Sequence, residues 1–195
     1  MRRLSVFNFV SLDGNFATVE EDANWFRNPA PDAEWDSLMA RNATSEGQVL
    51  LGRITYELLR NHWTTPRPTA LDATLSGGMN AMPKVVFSRT LDKASWNNTK
   101  LVKSDMVAEV RRLKEEPGLD MVILGSGSII TQLSRENLID EYQFVMVPLV
   151  LGKGRSMFQG LHESLHLKLM NKRSFHNGNI ILTYEPSHNG SRKPR

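Results

Sequence analysis

The chain has 195 residues, 40% hydrophobic and 23% charged, a balance that excludes a disordered chain or a fibre. It has no cysteine, which removes disulfides, thiolate metal sites, iron–sulfur clusters and cysteine nucleophiles, and agrees with the cytoplasm as the default compartment. The net charge of +3 comes from residues 186–195, where Arg192, Lys193 and Arg195 meet no acid; without them basic and acidic residues are equal at 21, which leaves no footprint for nucleic acid.

The longest apolar run, Phe144 to Leu151, is eight residues long and contains Pro148. A membrane helix needs about 20. No repeat, linker or signal-peptide core interrupts the pattern, so the chain reads as one domain over 1–185 followed by a basic flexible tail over 186–195.

Leu4 to Val10 reads as a first strand that ends in the turn Ser11-Leu12-Asp13-Gly14. Asn24 to Pro31 reads as loop. Asp32 to Asn42 fits a helix with Trp35, Leu38, Met39 and Asn42 on one face. Gln48 to Leu51 is a short buried strand broken by Gly52, and Arg53 to Asn61 returns to helix. His62 to Gly78, with Pro66, Pro68 and a Gly-Gly pair, reads as a loop with at most one helical piece. Lys84 to Ser88 is a strand. Ser104 or Asp105 can cap a helix striped by Met106, Val107, Val110 and Leu113, which Pro117-Gly118 stops. Met121 to Leu124 is a strand, followed by a Gly/Ser turn and a helix carrying Ile129, Ile130 and Leu133. Glu141 to Pro148 is another strand. Leu165, Leu167 and Leu169 alternate with polar residues, and Asn177-Gly178 turns into Ile180 to Tyr184. The whole is an α/β fold of about seven or eight strands, parallel units first and an antiparallel hairpin last.

Three strand-to-loop junctions carry residues suited to anions: Gly52-Arg53-Ile54-Thr55, Ser88-Arg89-Thr90 and Gly125-Ser126-Gly127-Ser128. The carboxyl edge of an open α/β sheet is where ligands bind. Glycines let backbone approach a ligand, helix N–H groups attract anions, and guanidinium forks match phosphate. Hydroxyls of Thr55, Ser88, Thr90, Ser126 and Ser128 add donors. Together the junctions suggest a nucleotide with several phosphates. Neither a Gly-x-Gly-x-x-Gly nor a Gly-x-x-x-x-Gly-Lys-Ser/Thr motif is present, which argues against a standard Rossmann or P-loop domain.

Asp13 and Asp36 are the candidate catalytic acids, able to hold a heterocycle's N–H groups or supply a proton. Trp25, Trp35 and Trp63 read as core or rim packing. His162-Glu163-Ser164-Leu165-His166 has the form of a zinc-protease motif. That chemistry needs a helix, whereas the period-two pattern here would set the histidines about 13 Å apart on a strand. A zinc hydrolase at His162 and His166 is therefore the weakest of three readings, and no metal is expected.

Five segments occur in order: Ser11-Leu12-Asp13-Gly14, Leu51-Gly52-Arg53-Ile54-Thr55-Tyr56-Glu57, Lys84-Val85-Val86-Phe87-Ser88-Arg89-Thr90-Leu91, Gly125-Ser126-Gly127-Ser128-Ile129, and Asp140-Glu141 leading through Pro148 and Leu151-Gly152-Lys153-Gly154 to Phe158. In this the chain resembles the RibD C-terminal domain family, with its dihydrofolate reductase-like fold. The resemblance implies a three-layer sandwich with a mixed, mostly parallel sheet, and NADPH across the carboxyl edge. It implies that Gly52, Arg53 and Thr55 contact the cofactor phosphates. Ser88, Arg89 and Thr90 receive the 2′-phosphate side, and Gly125, Ser126, Gly127 and Ser128 form the pyrophosphate loop with Ile129 behind it. Asp13 lies near nicotinamide and substrate. The family's riboflavin-pathway reductases carry Glu-Gly-Gly where this chain has Leu124-Gly125-Ser126.

The expected activity is NADPH-dependent reduction of a small nitrogen heterocycle, pyrimidine- or pteridine-like. Its substrate would resemble that of 5-amino-6-(5-phosphoribosylamino)uracil reductase or of dihydrofolate reductase. The second reading is an NADP-binding module without turnover. The expected partners are a small-molecule substrate and a second copy in a homodimer, with no membrane and no nucleic acid.

Overall fold

The computed structural model describes residues 1–18, 25–26, 30–66 and 69–187. In chain order the elements are β1 (Leu4–Ser11), β2 (Asn15–Ala17), α1 (Ala33–Thr44), β3 (Gln48–Gly52), α2 (Arg53–Thr64), α3 (Ala70–Ala81), β4 (Lys84–Phe87), β5 (Thr99–Val102), α4 (Met106–Glu115), β6 (Met121–Leu124), α5 (Gly127–Arg135), β7 (Glu141–Val147), β8 (Arg155–Ser156), β9 (Leu167–Ser174) and β10 (Ile180–Pro186).

Eight strands form one sheet in the order β5-β4-β3-β6-β1-β7-β10-β9. The six from β5 to β7 are parallel, and the final hairpin adds two antiparallel strands. Alternation along each strand assigns its side chains to two faces. Leu50, Val6 and Ile123 pack with Val110 and Leu113 of α4 and with Ile129, Ile130 and Leu133 of α5. Val49, Leu51 and Val86 pack with Tyr56 of α2 and Met79 of α3. Phe7, Phe9, Val145 and Val147 meet Trp35 and Leu38 of α1. The result is the expected three-layer sandwich. Because the six parallel strands end on one edge, the segments after β1, β3, β4, β5, β6 and β7 gather there.

The structure revises two element assignments. The stretch from His62 to Gly78 is mostly helical: α2 runs on to Thr64, and α3 carries the Gly-Gly pair inside it. Glycine here serves close packing. A β-carbon at Gly78 would stand 2.0 Å from the carbonyl oxygen of Ala43 in α1. Strand β5 went unread because Thr99 and Lys100 make half of it polar, as suits a sheet edge. Of the expected loop Asn24–Pro31, residues 24 and 27–29 lie outside the described residues. Of the expected tail, Pro186 belongs to β10 and 188–195 lie outside the described residues.

Lys84, at the start of β4, is 1% exposed. Its Nζ donates to the carbonyl oxygens of Met82 (2.6 Å), Asn97 (3.2 Å) and Asn80 (3.3 Å) and lies 4.4 Å from the centre of the Trp96 ring. Burial lowers its pKa from 10.5 to about 8. Below about pH 8 it is charged in both folded and unfolded chains, so the cost of burying the charge is present in full. From there to its unfolded pKa of 10.5 the unfolded chain binds more protons, and stability rises with pH. Urea unfolding at pH values of about 7.5 and 9.5 should show wild type gaining on Lys84→Met. A difference independent of pH would contradict the assignment.

Candidate functional site

The three junctions converge on one cleft of about 770 Å³ at the carboxyl edge of the sheet. Gly52 to Thr55 enter it from the start of α2, Ser88 and Arg89 from the end of β4, and Ser126 to Ile129 from the start of α5. Sequence reading missed three further contributors. Ser104 to Val107 come from the start of α4, Phe16 from β2, and Arg155 to Met157 from the segment around β8.

Helix capping distinguishes these junctions. Asp32, Thr69 and Asp105 cap α1, α3 and α4 through their side chains, and each of those helices has an acid in its first turn. Helices α2 and α5 have neither a side-chain cap nor a first-turn acid, and both open into the cleft. Their N-terminal dipole ends and free N–H groups are thus left to an anion. Two arginines stand beside them. Arg53 pairs with Glu57 at 2.9 Å along α2. Arg89 is exposed and has no partner among the described residues. This donor set fits a nucleotide's phosphates.

Several expected phosphate donors tie the junctions together instead. The Ser126 hydroxyl accepts from the Gly52 N–H at 2.7 Å and donates to Thr55 Oγ1 at 2.9 Å, and Thr55 Oγ1 also accepts from the Ser126 N–H at 3.1 Å. Ser88 Oγ accepts from the N–H groups of Thr90 and Leu91, and Thr90 lies outside the cleft lining. Ile129 lines the cleft and is 3% exposed, a core residue as much as a wall.

The glycine loop is also built differently from the expectation. Its left-handed residues are Gly125 (φ 61°) and Ser126 (φ 58°). Asn8 of β1 holds Gly125 from the neighbouring strand, its Oδ1 accepting from the Gly125 N–H at 2.5 Å. Gly127 is small for another reason: a β-carbon there would meet the Phe16 ring at 2.8 Å and the Met157 carbonyl oxygen at 3.2 Å.

A second cavity, of about 760 Å³, lies on the α1 and α2 face. Phe9, Trp25, Phe26, Trp35 and Asp36 are among the residues that line it. Phe9 stacks on Phe26 at 4.4 Å and Trp35 stands edge-on to Phe9 at 6.1 Å. Trp25 and Trp35, read as packing, therefore also form a cavity wall, and Trp63 lines it farther along α2. The two cavities share Phe16, Ile54, Thr55 and Arg155, so the cleft adjoins the aromatic cavity at these residues.

The two candidate acids separate. Asp36 is half-buried and lines the aromatic cavity. Asp13 lines neither cavity. Its carboxylate accepts from the Ser11 hydroxyl (2.6 Å), the Gly152 N–H (2.8 Å), the Asn15 amide (3.1 Å) and the Leu151 N–H (3.2 Å). The Ser11 bond foremost, with the backbone donors, holds its pKa down at about 2. A carboxylate so engaged anchors the β1 exit to the 151–152 loop. His162 and His166 lie in residues 161–166, which form no helix, and no group of three or more His, Asp or Glu that could hold a metal occurs among the described residues. No helix among the described residues is long and apolar enough to cross a membrane.

Comparison with known proteins follows the same lines. The family model of the RibD C-terminal domain matches residues 2–181. The chain is similar to the uncharacterized protein YyaP of Bacillus subtilis (strain 168), 27% identical over 183 residues that cover 94% of each chain. Among solved structures it superposes on a protein from Shewanella sp. PV-4 provisionally assigned to riboflavin biosynthesis, with a TM-score of 0.71, 24% identity, and coverage of 96% of this chain and 100% of the other. It also superposes on dihydrofolate reductase from Enterococcus faecalis complexed with NADP(H), with a TM-score of 0.62, 14% identity, and coverage of 95% and 96%. The fold is dihydrofolate reductase-like, and the chain belongs to the RibD C-terminal domain family.

Proposed function

We propose that this member of the RibD C-terminal domain family is a cytoplasmic NADPH-dependent reductase of a small nitrogen heterocycle, pyrimidine- or pteridine-like. The observation that carries the reading is the pair of uncapped helix N-termini, α2 and α5, facing one cleft that adjoins an aromatic cavity lined in part by a carboxylate. The fold is shared with a reductase that holds NADP(H). The chemistry that NADPH would supply when bound is a hydride from its dihydronicotinamide. The chain's own part is to bind the phosphates at Arg53, Arg89 and the first turns of α2 and α5. It also keeps the acceptor ring among aromatic side chains and orients its N–H groups on Asp36. Asp13 serves as the loop anchor, not as the proton source. The alternative, an NADP-binding module without turnover, leaves the second cavity and Asp36 without a use. The homodimer we assign to it rests on the family resemblance.

Arg89 is the residue we assign to the adenosine 2′-phosphate. Losing one charge-assisted phosphate contact costs about 1.5–3 kcal/mol. Arg89→Ala should thus weaken NADPH binding about tenfold or more and leave NADH nearly unchanged. Equal losses for both cofactors, read by fluorescence titration, would remove Arg89 from that role.

A further inference from the structure

Where the cofactor cleft adjoins the aromatic cavity, the described residues on both linings are Phe16, Ile54, Thr55 and Arg155. Phe16 and Ile54 are apolar, and Thr55 Oγ1 accepts from both the N–H and the hydroxyl of Ser126. Arg155 is the charged group on this wall among the described residues. Two devices hold it there. Strand β8 pairs with β2, setting Arg155 opposite Ala17. The guanidinium carbon lies 5.8 Å from the centre of the Phe16 ring, a cation–π distance. The approach is close because Gly154 precedes it: a β-carbon there would stand 2.5 Å from the Ala17 carbonyl oxygen. The wall thus carries a half-buried cation whose backbone is fixed by strand pairing and whose side chain rests on a ring.

We propose that Arg155 is a catalytic residue that binds the acceptor's heteroatom as it gains negative charge. The inference rests on the reductase reading above. Hydride arrival at the acceptor carbon forms a C–H bond and breaks the π bond of the C=N or C=O group. The π electron pair is left on nitrogen or oxygen, which water then protonates. The reductant is the dihydronicotinamide, oxidised by the loss of that hydride. The new charge therefore develops at the mouth between the two cavities, which is the wall Arg155 occupies. A guanidinium stays protonated throughout, so it cannot supply the proton. It can meet a planar anion with two parallel N–H donors, already oriented before the charge appears. Asp36, an acceptor of hydrogen bonds on α1, complements it. The acceptors favoured are rings with N–H donors whose reduced bond leaves its electron pair on a delocalised amide- or enolate-like group.

Barbiturate tests this, as a pyrimidine that carries a delocalised negative charge on its ring oxygens in neutral water. NADP⁺ is first titrated into wild type, Arg155→Met and Arg155→Lys. Sodium barbiturate is then titrated calorimetrically into each saturated complex, with uracil as the uncharged ring of the same size. Barbiturate should bind the wild-type complex, about tenfold or more weakly in Arg155→Met, and with partial recovery in Arg155→Lys. Uracil and NADP⁺ affinities should hardly change. Arg155→Gln, which keeps most of the stem, takes the place of Arg155→Met if that variant does not fold. Equal barbiturate affinity in wild type and Arg155→Met would overturn the proposal. So would no barbiturate binding to the wild-type complex, or a fall confined to NADP⁺, which would make Arg155 a cofactor residue. Failure of wild type to bind NADP⁺ in the first titration would instead overturn the reductase reading and this proposal with it.

Discussion

Asp36→Asn is expected to lower kcat about a hundredfold or more while leaving NADPH affinity within about twofold. The carboxylate lies on α1, half-buried, and lines the aromatic cavity but not the cleft at the sheet edge. A ring bound there presents N–H groups that need a hydrogen-bond acceptor to orient it for hydride transfer. The amide keeps the shape of the side chain, loses the charge, and puts a donor where an acceptor is required. The fold should survive, because no structural hydrogen bond was found for the Asp36 carboxylate among the described residues. Steady-state kinetics with the reducible heterocycle, and cofactor titration in parallel, separate the two quantities. A normal kcat in the folded variant would remove Asp36 from the chemistry.

Gly78→Ala is expected to destabilise the protein by about 2 kcal/mol or more. Two effects oppose each other. Alanine in a helix interior gains about 1 kcal/mol over glycine. Against this, the added carbon would sit 2.0 Å from the Ala43 carbonyl oxygen and 2.6 Å from its carbon, and backbone cannot swing aside as a flexible side chain would. Helices α1 and α3 must move apart, and the α1 residues lining the aromatic cavity move with them. The melting temperature should fall by about 5 °C or more. Gly77→Ala is the internal control: nothing lies within 4 Å of its added carbon, so it should be neutral or stabilising. Equal melting temperatures for the two variants would show that the helices are not in close contact at Gly78.

These residues also mark how far the sequence was legible. The β6–α5 junction was readable because four apolar residues, a Gly/Ser turn and Ile129, Ile130 and Leu133 at helical spacing signal strand, turn and helix locally. Arg53 and Arg89 were readable because each follows a short apolar strand, and the ends of parallel strands share an edge. The role of Gly78 was not, since glycine marks a turn as often as a close approach of two backbones, and the Ala43 contact comes from far along the chain. Asp13 was correctly placed at a strand exit, but the donors that engage it include Leu151 and Gly152, which no local pattern connects to it. Phe16 and Arg155 were missed for the same reason: β2 and β8 pair across a long separation, with two or three residues each and no periodicity to announce them.

The most direct test of the central claim is a crystal structure of the protein with NADPH. The pyrophosphate is expected against the first turns of α2 and α5, the 2′-phosphate beside Arg89, and the nicotinamide at the wall of Phe16, Ile54 and Arg155, facing the aromatic cavity. NADPH bound elsewhere, or a cleft that stays empty at saturating cofactor, would contradict it.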